Sequence, residues 1–198
     1  AYLIACVVLS PWIVYRSLAA GRRYFLQRFG IGWGAPLRSC IWLHGSSAGE
    51  VSLLRPLVAT LERDVPGTPL LISAFTVTGL AAARKLYPHH RVVVLPFDLS
   101  FVVRRFLRRF DPRLVVIVES EFWPNLIAHA RGYGAGVALI NGKMSEKSYR
   151  LHARTGLIPR ALRLLDLLAV QTHEHAERFR SLGVAAERIH VTGNMKYD

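Results

Sequence analysis

Short apolar runs alternate with longer amphipathic stretches along the chain from Ser39 onward. The apolar runs, rich in Val, Ile and Leu, predict strands at Cys40 to His44, Leu70 to Ala74, Val92 to Leu95, Leu114 to Val118, Val137 to Ile140, Leu167 to Val170 and Ile189 to Val191. The stretches between them predict helices over residues 50–63, 79–87, 99–110, 123–131, 156–165 and 174–182. Strands that are apolar along their length, each followed by a helix, are typical of a parallel sheet covered on both faces.

The predicted fold is therefore α/β and doubly wound, with a Rossmann-like parallel sheet. In such folds the chemistry gathers in the loops that follow the carboxyl ends of the strands. The loops in this chain are HGSSAGE at 44–50, FTVTG at 75–79, PFD at 96–98, ESEFWPN at 119–125 and NGKMS at 141–145.

Residues 1–15 precede this pattern and are almost wholly apolar. A helix of that length covers about 22 Å of a hydrocarbon core of about 30 Å, so it is short for a full span. A basic stretch follows directly, without a small-residue cleavage site, which favours an uncleaved anchor over a signal peptide. The positive-inside tendency places the basic stretch on the cytoplasmic side. The arginines predicted to contact anionic lipid are Arg16, Arg22, Arg23 and Arg28. The alternative is a buried helix followed by a solvated basic helix.

The distribution of charge narrows the choice of binding partner. The chain has 26 Lys+Arg against 13 Asp+Glu, a formal charge of +13, and its first acidic residue is Glu50. A hydrophobic fraction of 52% excludes a disordered basic tail. No RRM, helix-turn-helix or zinc-finger pattern is present, so we expect anionic lipid and no nucleic acid as partner. For the basic helix predicted at 99–110 two interpretations remain: a solvated face, or a second contact with lipid or phosphate.

Several kinds of chemistry are disfavoured by the absence of their motifs. Cys6 and Cys40 form neither a disulfide framework nor a metal-ligand pattern, which favours a reducing, cytoplasmic compartment for the main domain. No HExxH or P-loop sequence occurs. The sequence therefore predicts no metal and no cofactor.

Carboxylates in two of the loops are the candidate chemical groups. Glu50 lies in the first turn of a predicted helix, where it is either a capping acid or a general base at the mouth of a cleft. Glu119 and Glu121 follow a buried strand, which favours binding of substrate hydroxyls, base chemistry or orientation of a nearby Lys or Arg. One of the two is also a candidate cap for the helix beginning near Trp123.

Taken in order, the motifs resemble the bacterial Kdo (3-deoxy-D-manno-octulosonic acid) transferases. They are WLHGSSAGE, TVTG, LPFD, ESEFWPN, NGKMSEKS, VQTHEHAERFRSLGV and VTGNMKYD, and the resemblance runs from about Tyr24 to Asp198. It implies the N-terminal half of an inverting GT-B glycosyltransferase that moves Kdo from CMP-Kdo to the lipid A precursor (lipid IVA) on the cytoplasmic face of the inner membrane. It implies no divalent metal at the transfer step.

The resemblance also implies roles for particular residues. Glu50 matches the proposed general base, and Glu119 and Glu121 match the second acidic motif. The residues implied to bind substrate are Ser46, Ser47, Gly49, Thr76, Thr78, Glu119, Glu121, Asn141, Lys143 and Ser145. Lys143 stands where relatives commonly have Arg, and Ala48 stands where a larger aliphatic residue is usual.

The implied organisation has three parts: a membrane anchor with a basic interfacial segment at 1–30, a Rossmann-like acceptor-binding domain at 31–190, and the start of a linker to a donor-binding domain at 191–198. We expect such a chain alone to bind lipid A precursor or membranes with little or no transfer. The alternative is a non-catalytic, membrane-surface lipid-binding module left after loss of the donor domain.

Overall fold

A computed structural model of the chain describes residues 21–196. Its centre is a seven-stranded parallel sheet with the order β3-β2-β1-β4-β5-β6-β7. The strands are β1 Cys40–His44, β2 Leu70–Ala74, β3 Arg91–Val94, β4 Pro112–Val118, β5 Gly136–Gly142, β6 Leu167–Val170 and β7 Ile189–Val191. The helices are α1 Arg22–Arg28, α2 Ala48–Leu53, α3 Arg55–Asp64, α4 Val77–Leu86, α5 Ser100–Phe110, α6 Pro124–Tyr133, α7 Glu146–Thr155, α8 Leu157–Leu162 and α9 His173–Ser181, with a 3₁₀ turn at Ala186–Arg188.

The predicted strands are all confirmed, whereas two helical stretches differ from the prediction. The stretch 50–63 forms two helices that meet at Leu54, because Pro56 in the first turn of α3 has no N–H to continue the bonding of α2. The pattern does not predict α7, which buries none of its residues and therefore shows no apolar stripe.

Helices cover both faces of the sheet, which confirms the doubly wound α/β prediction. One core lies under α5, α6, α8 and α9 and includes Trp42, Phe106 and Phe110. The other lies under α2, α3 and α4 and includes Leu43 and Leu80. Because successive residues of a strand point to opposite faces, Trp42 and Leu43 enter different cores.

The strand order reverses its direction between β1 and β4. The chain proceeds from β1 to β2 and β3 on one side, then crosses to β4 on the other side. At such a switch point the two connections leave the sheet in opposite directions and open a crevice beyond the carboxyl ends of the strands. The topology therefore places the candidate site at the loops that follow β1 and β4.

Helix α1 packs against the end of β3 through aromatic contacts. The Phe29 and Phe97 ring centroids are 4.8 Å apart, and the Phe97 N–H donates to the Arg28 carbonyl oxygen at 3.0 Å. Residues 21–196 include no helix long and apolar enough to cross a membrane. The predicted anchor at 1–15, together with Arg16, lies outside the described residues.

Candidate active site

The carboxyl ends of β1 and β4 lie side by side at the crevice. His44 at the end of β1 pairs in register with Ile117 of β4. The loop after β1 carries Glu50, and the loop after β4 carries Glu119 and Glu121. The fold therefore brings the three predicted carboxylates to one edge of the sheet.

Glu50 is held at the start of α2 by a reciprocal set of hydrogen bonds. Its backbone N–H donates to Ser47 Oγ at 3.3 Å, and the Ser47 hydroxyl donates to Glu50 Oε1 at 2.9 Å. Its second oxygen, Oε2, accepts the Ser46 N–H at 2.9 Å. This is a variant of the capping box, because the carboxylate accepts the N–H of Ser46, the residue before the N-cap Ser47, while Ser47 accepts the N–H of the third helical residue. The carboxylate is both a helix cap and an acceptor group fixed at the crevice.

The neighbouring β2 loop braces this arrangement. The Ser46 carbonyl oxygen accepts the Thr76 N–H at 2.9 Å and the Thr76 hydroxyl at 3.1 Å. Gly79 allows this approach, because a Cβ there would lie 2.7 Å from the same carbonyl oxygen. Gly45 is equally constrained, with a Cβ position 2.8 Å from the Val51 nitrogen. Thr78 remains exposed beside the loop.

Glu119 lies at the end of β4 in an unusual backbone conformation, with φ of 63°. Its side chain is buried, and its carboxylate lies 2.5 Å from Lys143 Nζ and 3.4 Å from Lys196 Nζ. A left-handed conformation costs a non-glycine residue roughly 1–2 kcal/mol, so other contacts must stabilise it. The two lysines provide such contacts, which makes Glu119 the centre of a cluster with more positive than negative charge.

Glu121 is only partly accessible and lies near Glu50. Burial, and then the negative charge of Glu50, raise the pKa of Glu121 to about 7, with a smaller contribution from Glu119. The Ser46 side chain opposes this rise in pKa. A carboxyl group whose pKa lies near neutrality can gain or lose a proton under working conditions.

The β5 loop joins the C-terminal segment to this edge. The buried Asn141 accepts the Met195 N–H on Oδ1 at 3.2 Å, and its carbonyl oxygen accepts from Gln171 Nε2 at 3.1 Å. Ser145 caps α7 by accepting the Ser148 N–H at 3.2 Å. Asn141 is thus buried and engaged within this chain, whereas Gly49, Thr78 and Ser145 are exposed and accessible to a ligand.

Sequence reasoning missed the residue that caps α6. Asp98, in the loop after β3, accepts the N–H of Asn125 at 3.0 Å and that of Leu126 at 2.7 Å. The cap therefore comes from another loop, while Trp123 at the N-cap position provides no side-chain acceptor. Lys196 was also missed, although it lies in the closing VTGNMKYD motif. Neither Asp98 nor Lys196 lies in a local sequence pattern that identifies its partner.

The structure contradicts the prediction that Arg28 contacts a membrane. Arg28 is 2% exposed, and its guanidinium lies 4.0 Å from the Phe75 ring centroid and 4.7 Å from that of Phe97. Its Nε donates to the Leu95 carbonyl oxygen at 3.3 Å. Burial lowers the pKa of Arg28 to about 10, so the group is still a cation at neutral pH. Aromatic faces, and not a carboxylate, stabilise this cation. The prediction of membrane contact relied on the absence of nearby acidic residues, which does not reveal aromatic partners.

Two exposed basic surfaces remain. Arg22 and Arg23 on α1 are exposed. Helix α5 buries Val102, Val103, Phe106, Leu107 and Phe110 and leaves its other face open. Its exposed residues include Phe101, Arg104, Arg105 and Arg108, hereafter the α5 basic face, with Arg109 beside them. Its members are three or four residues apart, so they form one stripe along the helix.

The cysteine and metal chemistry of the described part is limited. Cys40 is a free, buried thiol, and burial raises its pKa to about 12, which disfavours the reactive thiolate. Its Sγ lies 2.9 Å from the Phe110 carbonyl oxygen. Within residues 21–196, no group of three or more His, Cys, Asp or Glu side chains is arranged to hold a metal ion. Cys6 lies outside the described residues.

Comparison with known proteins identifies the family. A family described as 3-deoxy-D-manno-octulosonic-acid transferase (Kdo transferase) matches residues 23–198. The chain belongs to the Kdo transferase family. This confirms the resemblance inferred from the ordered loop motifs.

Individual Kdo transferases cover nearly the whole chain. The enzyme of Chlamydia trachomatis serovar D is 34% identical over 99% of this chain and 47% of its own length. That of Bordetella pertussis is 36% identical over 100% of this chain and 49% of its own length. The chain therefore spans about half the length of the curated relatives that it matches.

Solved structures support the fold. A UDP-GlcNAc 2-epimerase from Neisseria meningitidis matches with a TM-score of 0.59 at 14% identity, over 78% of this chain and 47% of its own. One from Methanocaldococcus jannaschii matches with a TM-score of 0.55 at 13% identity, over 78% of this chain and 45% of its own. At these identities the likeness shows the Rossmann-like architecture alone.

Proposed function

We propose that this chain is the acceptor-binding domain of an inverting GT-B glycosyltransferase. The complete enzyme would transfer Kdo from CMP-Kdo to a hydroxyl of the lipid A precursor, lipid IVA, during synthesis of the lipopolysaccharide core. Membership of the Kdo transferase family supports the reaction class. The observation that carries the mechanism is the carboxylate of Glu50, fixed by Ser46 and Ser47 at the switch-point crevice.

Glu50 is the proposed general base. It removes the proton from the acceptor hydroxyl as the hydroxyl oxygen attacks the anomeric carbon of Kdo. The bond between that carbon and the phosphate oxygen breaks, its electron pair leaves with CMP, and the configuration inverts. Since CMP is already a good leaving group, one positioned base is sufficient acid–base assistance from this half of the enzyme.

The lysines near Glu119 provide a complementary positive charge. Glu119 balances one of the two charges of Lys143 and Lys196, so the cluster keeps a net positive charge. Both ammonium groups are partly exposed, with side-chain exposures of 40% and 51%. We therefore assign them to the anionic groups of CMP-Kdo. We assign binding of the acceptor to the hydroxyl and backbone groups of Ser46, Ser47, Gly49, Thr76 and Thr78.

The proposed location is the cytoplasmic face of the inner membrane, reached by the apolar N-terminal segment. Arg22 and Arg23, which follow that segment in the sequence, are exposed, and the α5 basic face contains no acidic residue. An arginine near an anionic bilayer contributes about 1 kcal/mol of attraction. Phe101, 60% exposed, adds an apolar group that can enter the interface.

Replacing Arg104, Arg105 and Arg108 by Gln tests this surface. We expect sedimentation with anionic phosphatidylglycerol vesicles to weaken about 10- to 100-fold, with little change for neutral vesicles. A control variant with Arg84, Arg154 and Arg160 replaced by Gln has the same net charge but keeps the α5 basic face. Equal loss of binding in both variants would mean that overall charge, not this face, governs binding.

The reaction itself is tested with the polypeptide encoded by the complete reading frame. Release of CMP from CMP-Kdo should depend on added lipid IVA, and a Kdo-bearing lipid product should appear in equal amount. Binding of lipid IVA without release of CMP would instead support the non-catalytic lipid-binding module. Release of CMP with another acceptor but not with lipid IVA would contradict the assigned substrate.

A further inference from the structure

Phe75, in the loop after β2, contacts both loops that carry the candidate acids. Its N–H donates to the Ser46 carbonyl oxygen at 3.1 Å, and the N–H of Ser46 donates to Glu50 Oε2 at 2.9 Å. Its ring stacks on the indole of Trp123 in the β4 loop, with the ring centroids 5.4 Å apart and an angle of 27° between the planes. Phe75 is therefore hydrogen-bonded to the loop of Glu50 and packed against the loop after β4.

The Arg28 side chain of α1 lies over the face of the Phe75 ring. Its guanidinium carbon is 4.0 Å from the centroid of that ring and 4.7 Å from the centroid of Phe97. The Arg28 Nε donates to the Leu95 carbonyl oxygen at 3.3 Å, which anchors the side chain at the end of β3. Because a cation is attracted to the negative face of an aromatic ring, this contact fixes the direction in which the Phe75 ring faces.

Stability alone gives no reason for a cation at this place. Arg28 is 2% exposed, and it forms no ion pair within residues 21–196. Its Nη2 atom is buried without a hydrogen-bond partner. A buried charge without a carboxylate and a buried donor without an acceptor both disfavour folding, compared with an apolar side chain of similar size. Departures of this kind are expected at functional sites.

We propose that Arg28 is a positioning residue for the transfer reaction. Through Phe75, it holds the β1 and β4 loops in the relative arrangement that places the Glu50 carboxylate against the acceptor hydroxyl. This inference rests on the proposed function, in which Glu50 is the base. It gives the buried Arg28 a role distinct from that of Arg22 and Arg23, which are exposed on the same helix.

Arg28→Met removes the cation and keeps a long apolar side chain, whose thioether favours the edge of an aromatic ring over its face. In the polypeptide from the complete reading frame, we expect kcat for CMP release to fall about tenfold, because Glu50 is misplaced. The KM values for CMP-Kdo and lipid IVA should stay unchanged, and the midpoint of thermal unfolding should equal or exceed that of the wild type.

Two further variants separate positioning from a structural role. Arg28→Lys keeps a cation over the ring and should recover most of the lost rate. Arg84→Met, at an exposed position of α4, is the matched control and should leave kcat unchanged. A loss of rate in Arg28→Met that accompanies a lower thermal midpoint, or that Arg28→Lys does not recover, would overturn the inference.

A double-variant experiment tests the path through Phe75. Phe75→Leu removes the ring but keeps the backbone N–H that donates to Ser46. If Arg28 acts through this ring, the protein with both Arg28→Met and Phe75→Leu should be no slower than Phe75→Leu alone. Losses that multiply in the double variant would mean that Arg28 acts by another path, and would overturn the inference.

An NMR measurement separates this inference from the proposed reaction. In the same polypeptide, the signals of the Ser46 amide and the Trp123 indole N–H should shift in Arg28→Met and stay in place in Arg84→Met. Unchanged signals in Arg28→Met would overturn the inference whatever the reaction. Shifted signals in a protein whose wild type releases no CMP would instead overturn the proposed function.

Discussion

The loops after β1 and β4 bring carboxylates to the same crevice by different means. The β1 loop is stabilised from within, since Ser47 and Glu50 cap their own helix three residues apart. The β4 loop depends on distant residues: Lys143 and Lys196 hold Glu119, and Asp98 caps the helix that follows. One half of the candidate site is therefore encoded locally, and the other half depends on tertiary contacts.

The largest expected effect on stability concerns the distant cap of α6. Asp98→Ala removes a buried acceptor from two backbone N–H groups, so we expect a loss of about 3 kcal/mol in the free energy of unfolding. Urea denaturation measures it. Asp64→Ala, which removes an exposed partner of Arg63, is the control and should change stability by less than about 1 kcal/mol. Similar losses in both would contradict the assigned cap.

A smaller effect is expected from the backbone conformation of Glu119. Glu119→Ala and Glu119→Gly both remove the ion pairs with the lysines, but glycine accepts a φ of 63° without the steric cost. The glycine variant should therefore be more stable than the alanine variant by about 1 kcal/mol. Thermal unfolding of the two proteins is sufficient to compare them. An alanine variant as stable as the glycine variant would remove the argument for strain in this loop.

An effect of about the same size concerns the local cap of the β1 loop. Ser47→Ala removes the hydroxyl that accepts the Glu50 N–H, and we expect a loss of about 1 kcal/mol. Ser52→Ala lies later in the same helix, where its hydroxyl bonds to the Ala48 carbonyl oxygen, and serves as the control. If Ser52→Ala costs as much as Ser47→Ala, the capping box is not what fixes this loop.

The same contrast explains what could be predicted from the sequence. Apolar periodicity located the strands, and the parallel α/β pattern located the edge at which Glu50, Glu119 and Glu121 meet. The Ser47 to Glu50 spacing is a capping pattern in itself. These features are local or periodic, so a single sequence contains them.

The features that could not be predicted depend on contacts between residues far apart in the chain. The role of Asp98 as the cap of α6 requires knowing that the β3 loop lies beside the β4 loop. The burial of Arg28 among Phe75, Phe97 and Tyr24 joins three separate segments, and no nearby acid indicates it. Helix α7 was not predicted because it has no fully buried residue, and of its residues only the half-buried Tyr149 packs against the core.

The central claim is that Glu50 accepts the proton of the acceptor hydroxyl, and Glu50→Gln tests it most directly. Glutamine also fits the third position of a capping box, so the fold should remain while the base is lost. In the polypeptide from the complete reading frame, we predict that CMP release with CMP-Kdo and lipid IVA falls about 10²- to 10⁴-fold, with unchanged thermal stability. A Glu50→Gln protein that folds normally and turns over at the wild-type rate would contradict the claim.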